Sequence, residues 1–368
     1  MKKLGFGCMR LPMMQGKENE VDQAQFDQMI DLYMEAGFNY FDTAHVYLAG
    51  ESERALRNGL IRRYSREDFL LTDKLSGSCF QNEEDIYKLF DTQISITESG
   101  YFDYYLMHAL SADVYKKFLE CNAFDAVRKL KDSGMIRHMG ISFHDKPEVL
   151  RRILNEQKDI EVVQIQFNYY DYDNPSIESR AVYEVCREFG KPVFIMEPVR
   201  GGGLANLPLE AEKVFSDLGD SSPASYALRF AASFEGVEVV LSGMSNLVQM
   251  RDNIECMLNF TPLSKTEMDA VHRVRDILKA ENTIPCTACR YCVAGCPRKI
   301  LIPDLFSCFN TKERYKDWGS DFYYKTHING HGKASDCIKC GQCERICPQH
   351  LHITSLLEDV ANAFEATL

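Results

Sequence analysis

The chain has 368 residues, of which 45% are hydrophobic and 26% charged, and its formal net charge is -12. These values are typical of a folded globular protein, and the length predicts a large domain with a second, smaller one. The negative charge argues against nucleic-acid or anionic-membrane binding, because both need positive charge. Small-molecule substrates and soluble redox partners are the expected ligands.

The first residues, MKKLGFGCMRLP, lack the apolar core of a signal peptide. No apolar run reaches the roughly 18 residues that a transmembrane helix needs. We therefore expect a cytoplasmic location without a membrane span. Because the cytoplasm keeps thiols reduced, the 14 cysteines are not expected to form disulfides, and an ordered cluster of them indicates a metal site.

Apolar strand-like segments alternate with amphipathic helical segments along most of the chain. The predicted strands are 4–8, 38–42, 69–74, 102–108, 136–142, 162–167, 193–196 and 239–241, and the helices that follow them are 23–35, 51–62, 83–98, 123–132, 147–154, 177–189, 224–234 and 247–258. Eight such pairs predict a closed parallel (β/α)8 barrel, the TIM barrel. A doubly wound open sheet is the alternative, but no G-x-G-x-x-G motif follows the first strand.

The alternation stops near Thr261. Residues 263–278 are predicted to form one further helix, which leads into a cysteine-rich region. We therefore predict an α/β architecture with a barrel domain at residues 1–280 and a small cysteine-rich domain at residues 281–368.

Polar residues stand at the ends of three successive predicted strands. Asp42 ends the second strand and Tyr47 lies in the loop after it, while Lys74 ends the third strand and His108 the fourth. Strand ends of a parallel barrel share one face, where barrel enzymes keep their chemistry. Each residue alone is compatible with a solvated or structural role, but the coincidence of four ionisable groups favours an active site.

These four groups suit the reduction of a carbonyl. A phenol has an ordinary pKa of about 10, so Tyr47 should donate a proton readily only if a nearby cation lowers its pKa. Lys74 is the expected cation, with Asp42 holding its ammonium group. Tyr47 would protonate a carbonyl oxygen as hydride reaches the carbon, and His108 would orient that oxygen.

In the contexts FDTAHVY, LLTDK and YYLMH, these residues resemble the catalytic tetrad of the aldo/keto reductase family. The segments LGFGCMRL, GESERALRNGL, GMIRHMGIS and VVQIQFNYYD extend the resemblance over roughly residues 4–259. It implies a TIM-barrel oxidoreductase that binds NADP or NAD without a Rossmann motif.

The same resemblance implies a set of cofactor-binding residues. In chain order these are Gly7 and Cys8 along the cofactor, Ser142 and Gln164 at the nicotinamide carboxamide, Met196, Glu197, Pro198 and Gly201 in a loop over the pyrophosphate, and Gly243, Gln249 and Asn253 at the adenosine end. The glycines at 201–203 could present bare N–H groups to phosphate, although such a run is also typical of an ordinary turn.

The chain departs from the family pattern at several of these positions. Phe143 replaces the usual amide residue, Met196 replaces the aromatic that stacks on nicotinamide, and Glu197 replaces a small hydroxyl residue. Gly243 and Gln249 stand where the family has basic residues for the 2′-phosphate. The choice between NADP and NAD therefore stays open.

One cysteine pattern, C-x2-C-x2-C-x3-C-P, occurs twice near the end of the chain. Its members are Cys286, Cys289, Cys292 and Cys296 in the first copy and Cys337, Cys340, Cys343 and Cys347 in the second. Bacterial-type ferredoxins use this run for two [4Fe–4S] clusters, the fourth cysteine of each run ligating the other cluster. That rule assigns Cys347 to the first cluster and Cys296 to the second. Zinc is the alternative, but its sites normally lack the x3-Cys-Pro ending.

The whole chain is similar to aldo/keto reductases that carry a C-terminal ferredoxin-like domain. We expect an NAD(P)H-dependent oxidoreductase that interconverts a carbonyl and an alcohol. Nicotinamide transfers two electrons as hydride, whereas a cluster transfers one at a time, and no flavin motif that could convert between them is evident. Three roles for the clusters are therefore open: they exchange electrons with an unidentified group in the barrel, they serve an external ferredoxin, or they are structural or oxygen-sensing. The alternative is an iron–sulfur electron-transfer or redox-sensing protein with a catalytically idle barrel.

Overall fold

The computed structural model describes residues 2–16, 20–281, 283–315 and 319–365. The chain divides into two compact units. The first comprises Met1–Asp173, Glu178–Val199 and Ala224–Met268, and the second comprises Asn174–Ile177, Arg200–Pro223 and Asp269–Leu368. Within the described residues, no helix has the length and apolar character needed to cross a membrane. The domain boundary between residues 280 and 281 stays a prediction.

Eight parallel strands of the first unit form a closed barrel in chain order, which confirms the predicted TIM barrel. The strands are β1 (Leu4–Gly7), β2 (Tyr40–Asp42), β3 (Leu70–Ser76), β4 (Phe102–Leu110), β5 (Ile136–Phe143), β6 (Val162–Gln166), β7 (Val193–Met196) and β8 (Val237–Ser242). The sheet closes where β1 pairs with β8, with Phe6 opposite Ser242.

Helices connect the strands as the hydrophobic periodicity predicts. They are α1 (Gln23–Glu35), α2 (Glu51–Leu56), α3 (Glu83–Thr97), α4 (Ala112–Glu120), α5 (Ala123–Asp132), α6 (Pro147–Glu156), α7 (Ser179–Glu188), α8 (Leu209–Ser216), α9 (Pro223–Ala232) and α10 (Leu247–Leu258). The sequence analysis missed α4 and α8. Helix α4 is separated from α5 only by Cys121 and Asn122, and the left-handed φ of 53° at Asn122 breaks what would otherwise be one helix.

Side-chain alternation along the strands explains the polarity of the barrel interior. Tyr40, Leu106 and Val162 belong to one buried apolar cluster. Because side chains two residues apart point to the same side of a strand, Asp42, His108 and Gln164 fall in the next layer towards the carboxyl ends. The apolar layer thus supports a polar layer at the face predicted to carry the chemistry.

The second unit contains the cysteine region. Its helices besides α8 are α11 (Lys265–Ala280), which begins in the first unit, and α12 (Tyr291–Ala294), α13 (Ile302–Tyr315), α14 (Gly319–His327), α15 (Gln342–Arg345) and α16 (Ile353–Phe364). Buried side chains from α13, α14 and α16, including Leu305, Tyr324 and Val360, form one core. The long segment between the two cysteine runs therefore supplies the helices that make this core.

The segment after β7 packs within the second unit. The Arg200 Nη2 donates to the carbonyl oxygen of Pro285 at 3.0 Å. An added Cβ at Gly201 would lie 2.3 Å from the carbonyl oxygen of Thr287, and Gly201 has a φ of 65°. Only glycine fits this close approach in this backbone conformation.

Candidate active site and cysteine cavities

The ammonium group of Lys74 is the centre of the barrel site. It donates to Asp42 Oδ1 at 2.5 Å, to the carbonyl oxygen of Thr43 at 2.8 Å and to the Tyr47 hydroxyl at 3.2 Å. Both Lys74 and Asp42 are buried, with 0% and 3% of their surface exposed to solvent. The three donors of the ammonium therefore have oxygen partners within the chain, which a buried charge requires.

A strained loop carries Tyr47. The two residues after it, Leu48 and Ala49, have left-handed φ values of 50° and 55°, and Gly50 follows with 89°. For residues with a side chain this conformation costs about 1–2 kcal/mol each. Hydrogen bonds from the Ser52 hydroxyl to the Cys8 carbonyl oxygen at 2.8 Å and between Ser52 and Thr43 at 2.7 Å help to hold the loop.

The pKa of Tyr47 differs from the sequence-based expectation. Burial, and then the negative charge of Asp42, raises the pKa of this phenol well above its ordinary value, while the charge of Arg10 acts in the opposite direction. The net shift in the free protein is thus upward, which corrects the expectation of a lowered pKa. Burial is the larger cause, and Asp42 pairs with the Lys74 ammonium at close range and so offsets part of its charge.

His108 completes the tetrad. Its ring lies edge-on to the Tyr47 ring, with 5.8 Å between ring centroids. Burial, and then the charge of Lys74, lowers the pKa of His108 well below its ordinary value, so the ring is neutral near pH 7. Its Nδ1 lies 2.7 Å from Ser76 Oγ, and Ser76 is its register partner across β3 and β4. Sequence reasoning missed Ser76, although it lies two residues after Lys74 on the same side of the strand.

The two residues predicted to hold the carboxamide lie beside the tetrad. Gln164 Nε2 donates to Asp42 Oδ2 at 2.9 Å. Ser142 Oγ accepts from the backbone N–H of Ala109, the residue after His108, at 2.7 Å. Both side chains are buried, so each is fixed by a hydrogen bond within the barrel.

The ends of β1 and β8 bring further predicted cofactor residues together. The backbone N–H of Cys8 donates to the Asp42 carbonyl oxygen at 2.8 Å. Burial raises the pKa of the Cys8 thiol, which makes it an unreactive apolar neighbour of the site. A Cβ added to Gly7 would lie 3.7 Å from the N of Gly243, so the two glycines form a stretch of bare backbone.

Asn253 and Gln249 take structural hydrogen bonds at the end of the barrel. The Ser242 hydroxyl donates to Asn253 Oδ1 at 2.6 Å. Gln249 Oε1 accepts from the backbone N–H of Ser245 at 2.7 Å. These bonds order the turn between β8 and α10.

The predicted pyrophosphate loop is divided between the two units. Met196, Glu197 and Pro198 belong to the first unit and Gly201 to the second. The carbonyl oxygen of Glu197, whose φ is 58°, accepts from Asn168 Nδ2 at 3.1 Å. Apart from Gly201, all of the predicted cofactor-binding residues belong to the first unit.

A second cluster of ionisable side chains, formed by His45, Glu53 and Asp73, lies next to Lys74 and was not predicted. Glu53 Oε2 lies 2.9 Å from His45 Nδ1, and Asp73 Oδ1 accepts from the Lys74 backbone N–H at 2.7 Å. The remaining oxygens, Glu53 Oε1 and Asp73 Oδ2, are buried without a donor among the described residues. Burial, and then the charge of Glu53, raises the pKa of Asp73 well above its ordinary value. We interpret the pair as two carboxyl groups that share one proton.

The eight cysteines divide between two cavities of the second unit. One cavity is lined by Cys286, Cys289, Cys292 and Cys347, and the other by Cys296, Cys337, Cys340 and Cys343. Burial, and then the charges of Cys289, Cys286 and Cys347, raises the pKa of Cys292, which reflects the closeness of these four thiols. The division follows the exchanged pattern that the spacing predicts.

The backbone around both cavities follows a repeated conformation. Ala288 and Lys339, which occupy equivalent positions in the two runs, have left-handed φ values of 52° and 55°. This conformation turns backbone N–H groups towards sulfur, as in the 3.4 Å contact from Ala288 N to Cys286 Sγ. Among the described residues, no group of three or more His, Cys, Asp or Glu side chains is arranged around a single ion. The cysteines of a four-iron cluster each bind a different iron, so they line a cavity.

Comparison with known protein families accounts for both units. The model of the Aldo/keto reductase family matches residues 3–276. The chain belongs to the aldo/keto reductase family. A 4Fe-4S dicluster domain matches residues 275–352. The protein is therefore an oxidoreductase of this family with a 4Fe-4S dicluster domain, as the sequence analysis expects.

Relatives and solved structures agree with this assignment. The uncharacterized oxidoreductase YqkF of Bacillus subtilis (strain 168) is 24% identical over 312 residues, which are 76% of this chain and 95% of YqkF. Human aldo-keto reductase family 1 member C3 is 27% identical over 176 residues, 42% of this chain and only 51% of the human protein. The match thus spans about half of that relative.

Two solved structures show the fold. The holo form of aldo-keto reductase AKR11C1 from Bacillus halodurans has a TM-score of 0.61 and 24% identity, covering 74% of this chain and 91% of that one. An aldo-keto reductase from Klebsiella pneumoniae in complex with NADPH has a TM-score of 0.60 and 17% identity, covering 74% and 90%.

Proposed function

We propose that this protein reduces a small carbonyl compound to an alcohol, or runs the reverse oxidation, with NADP or NAD as the cofactor. The observation that carries the proposal is the Lys74 ammonium, which bonds at once to Asp42 and to the Tyr47 hydroxyl. When bound, the reduced nicotinamide would supply a hydride to the carbonyl carbon. The chain must then supply a proton and stabilise the charge on oxygen.

Tyr47 is the proposed proton donor. Burial keeps its phenol neutral in the free enzyme, so the proton is present when a carbonyl oxygen begins to gain charge. As the proton leaves, a phenolate forms 3.2 Å from the Lys74 ammonium. The cation therefore acts on the phenolate during the reaction, which favours the transition state over the ground state.

His108 is the proposed orienting residue. A neutral imidazole has one N–H. We assign the Ser76 hydroxyl as donor to Nδ1 across the 2.7 Å contact, which leaves the proton on Nε2. That N–H would then hydrogen-bond to the carbonyl oxygen and hold it next to the Tyr47 hydroxyl.

The chemistry of Ser142 and Gln164 fits a carboxamide. Ser142 accepts from a backbone N–H through Oγ and still has its own hydroxyl proton to donate. Gln164 uses one N–H for Asp42, which leaves its carbonyl oxygen as an acceptor. A donor and an acceptor are what the amide of nicotinamide requires. At the adenosine end, Gly243 and Gln249 offer no cation for a 2′-phosphate, so NAD and NADP are both candidates.

We also propose that the two cysteine cavities each hold one [4Fe–4S] cluster. The exchanged grouping of the thiols supports this assignment, with Cys286, Cys289, Cys292 and Cys347 around one cluster and Cys296, Cys337, Cys340 and Cys343 around the other. Such clusters would supply one-electron chemistry. The exposure of Cys340 favours exchange with a soluble redox partner and keeps electron transfer as the second candidate function.

Anaerobic purification with iron and sulfide quantification tests the cluster assignment. We expect about eight iron atoms per chain from two four-iron clusters. Titration with NADPH and NADH, followed by a panel of aldehydes and ketones, tests the barrel. Nicotinamide oxidation that depends on a carbonyl supports the proposal. Iron-loaded protein that binds neither nicotinamide would overturn the reductase function and leave electron transfer or redox sensing.

A further inference from the structure

The two cysteine cavities differ in their exposure to solvent. Thr287 and Gln349, which line the first cavity with Cys286, are only 2% and 4% exposed. The second cavity includes Cys340, the only exposed cysteine of the eight, all of which the structure describes. Another protein can therefore come closer to the second cavity than to the first.

The surface beside Cys340 combines apolar side chains with cations. Ile338 and Ile346 are 59% and 54% exposed. The cations around them are also exposed, and together these residues, which we name the basic rim, are Arg298, Lys299, Ile338, Lys339, Arg345 and Ile346. Exposed apolar groups surrounded by charge are typical of interaction surfaces.

Contacts place three members of the basic rim, Arg298, Ile338 and Arg345, beside the second cavity. Arg298 and Ile338 line this cavity together with Cys340. The Nη1 of Arg345 lies 3.5 Å from where a Cβ on Gly341 would stand, and Gly341 adjoins Cys340. Both cysteine runs thus contribute cations to the same opening.

The positive charge of the basic rim is only partly balanced within the chain. Lys339 pairs with Glu358, and the Glu344 carboxylate is turned to Thr354, accepting from its N–H at 2.8 Å and from its hydroxyl at 2.7 Å. Arg298, Lys299 and Arg345 form no ion pair with another described residue. A positive surface on a chain with a net charge of -12 attracts an acidic partner selectively.

We propose that the basic rim is the docking site of an acidic one-electron carrier protein. Cys296, Cys337, Cys340 and Cys343 would hold the cluster that accepts one electron from the carrier, which would lose that electron, with no proton or bond transferred. The isoleucines exclude water at the contact and the cations steer the encounter. The inference rests on the proposed clusters and does not depend on carbonyl reduction in the barrel.

A simpler role for these cations is to offset the negative charge of a cluster with four thiolate ligands. That role would change the reduction of the cluster by every reductant. Docking, in contrast, affects only reduction by a protein carrier. The two roles are therefore separated by comparing a carrier with a small reductant on the same holoprotein.

The test uses anaerobically purified full-length holoprotein and a reduced bacterial two-cluster ferredoxin as the acidic carrier. One variant combines Arg298→Glu, Lys299→Glu and Arg345→Glu. The control variant, with the same change in charge, combines Lys265→Glu, Arg273→Glu and Lys325→Glu, which replace exposed cations outside the basic rim. Stopped-flow absorbance follows cluster reduction by ferredoxin at low and high salt, and by dithionite at high salt, where the charge of this anionic reductant is screened.

We expect the basic-rim variant to be reduced by ferredoxin at least about tenfold more slowly at low salt and to lose most of the salt dependence. The control variant should stay within about twofold of the parent, and dithionite should reduce all three proteins alike. Equal ferredoxin rates for the parent and the basic-rim variant, or an equal loss in the control, would overturn docking. Parallel slowing by dithionite would overturn it in favour of charge compensation. Iron content, measured first on each protein, separates these outcomes from failure of the cluster assignment.

Discussion

The barrel site and the cysteine region differ in where their functional side chains find partners. In the barrel, the Lys74 ammonium donates to Asp42, Thr43 and Tyr47, so the folded chain itself supplies the partners. In the second unit, the cysteine side chains line two cavities. The difference fits our proposal that iron completes the cysteine region, whereas the chain itself supplies the partners of the Lys74 ammonium.

The hydrophobic cores of the two units differ in the same way. The barrel core is built from a closed sheet and helices whose own apolar side chains fill it. In the second unit, Cys292 belongs to the apolar core, and Cys286, Cys296, Cys337, Cys343 and Cys347 pack against it. Because these candidate ligands are part of the core packing, removal of iron should disturb the core itself.

Of the changes considered, removal of iron should have the largest effect on stability. It should destabilise the second unit and leave the barrel intact. Structural metal can contribute on the order of 10 kcal/mol to the folding of a small domain. We expect hydrogen exchange of α13 and α16 to lose protection after chelation under mild denaturant, while β4 and β5 keep theirs. Equal loss in both regions, or none in either, would contradict the contrast.

A pair of cysteine variants refines this experiment. Cys292 lines the first cavity, whereas Cys308 is buried in the same core but lines neither cavity. We expect Cys292→Ser to lower the iron content and the protection of α13, and Cys308→Ser to leave the iron content unchanged. Iron loss in both variants would mean that the core rather than ligation controls cluster retention.

Tyr47→Phe tests the proposed chemistry of the completed barrel site. The variant keeps the ring but removes the proton donor, so we expect turnover to fall by about 10²- to 10⁴-fold. Nicotinamide affinity should change little. Tyr183→Phe is the matched control, because its hydroxyl donates only to the Glu235 carbonyl oxygen on the surface. A Tyr47 variant with the turnover of this control would show that another group donates the proton.

The sequence was most informative where one local pattern decides the structure. Hydrophobic periodicity predicted the strands and the barrel, and helix α5 runs from Ala123 to Asp132 as predicted. The spacing of the cysteines predicted which thiols share a cavity, and the structure groups them in that way. Strand-end positions also predicted that Asp42, Tyr47, Lys74 and His108 meet. Hydrogen bonds and a ring contact bring these side chains together, and their catalytic roles stay a prediction.

Features that depend on contacts between distant segments were not predictable in this way. Ser76 meets His108 only through the register of β3 and β4. Glu53 meets Asp73 because α2 packs on the outside of the barrel, a contact that neither segment encodes alone. The direction of the Tyr47 pKa shift required the burial and the short Asp42–Lys74 distance, which spacing does not give.

Lys74→Met would break the charge balance of the barrel site and should cost about 3–5 kcal/mol in the free energy of unfolding. Most of this loss comes from leaving the Asp42 carboxylate buried without its cation. We therefore expect the double variant Lys74→Met/Asp42→Asn to recover a large part of it. Urea unfolding of the barrel measures the effect, and Lys88→Met, which removes an exposed ion pair with Glu84, is the control. No recovery in the double variant would show that packing rather than charge dominates.

The smallest effect concerns the carboxyl pair behind Lys74. Because burial and the charge of Glu53 raise the pKa of Asp73 in the folded protein, the folded state holds a proton that the unfolded state releases above about pH 4. The stability that comes from this group is therefore fully present at low pH and is lost as pH rises through the folded-state pKa. Asp73→Asn should remove that slope and gain stability relative to the parent towards neutral pH.

Glu267 provides the control with the opposite sign. A hydrogen bond from Arg229 lowers the pKa of Glu267 to about 2, so its contribution is present above the ordinary carboxyl pKa and is lost as pH falls towards 2. In urea unfolding between about pH 2 and 8, Asp73→Asn should diverge from the parent as pH rises above about 4, and Glu267→Gln should converge with the parent as pH falls from about 4 towards 2. If Asp73→Asn kept the slope of the parent, the two buried carboxyl groups would not share a proton. The barrel would then, like the cysteine region, leave a buried polar group for something outside the chain to satisfy.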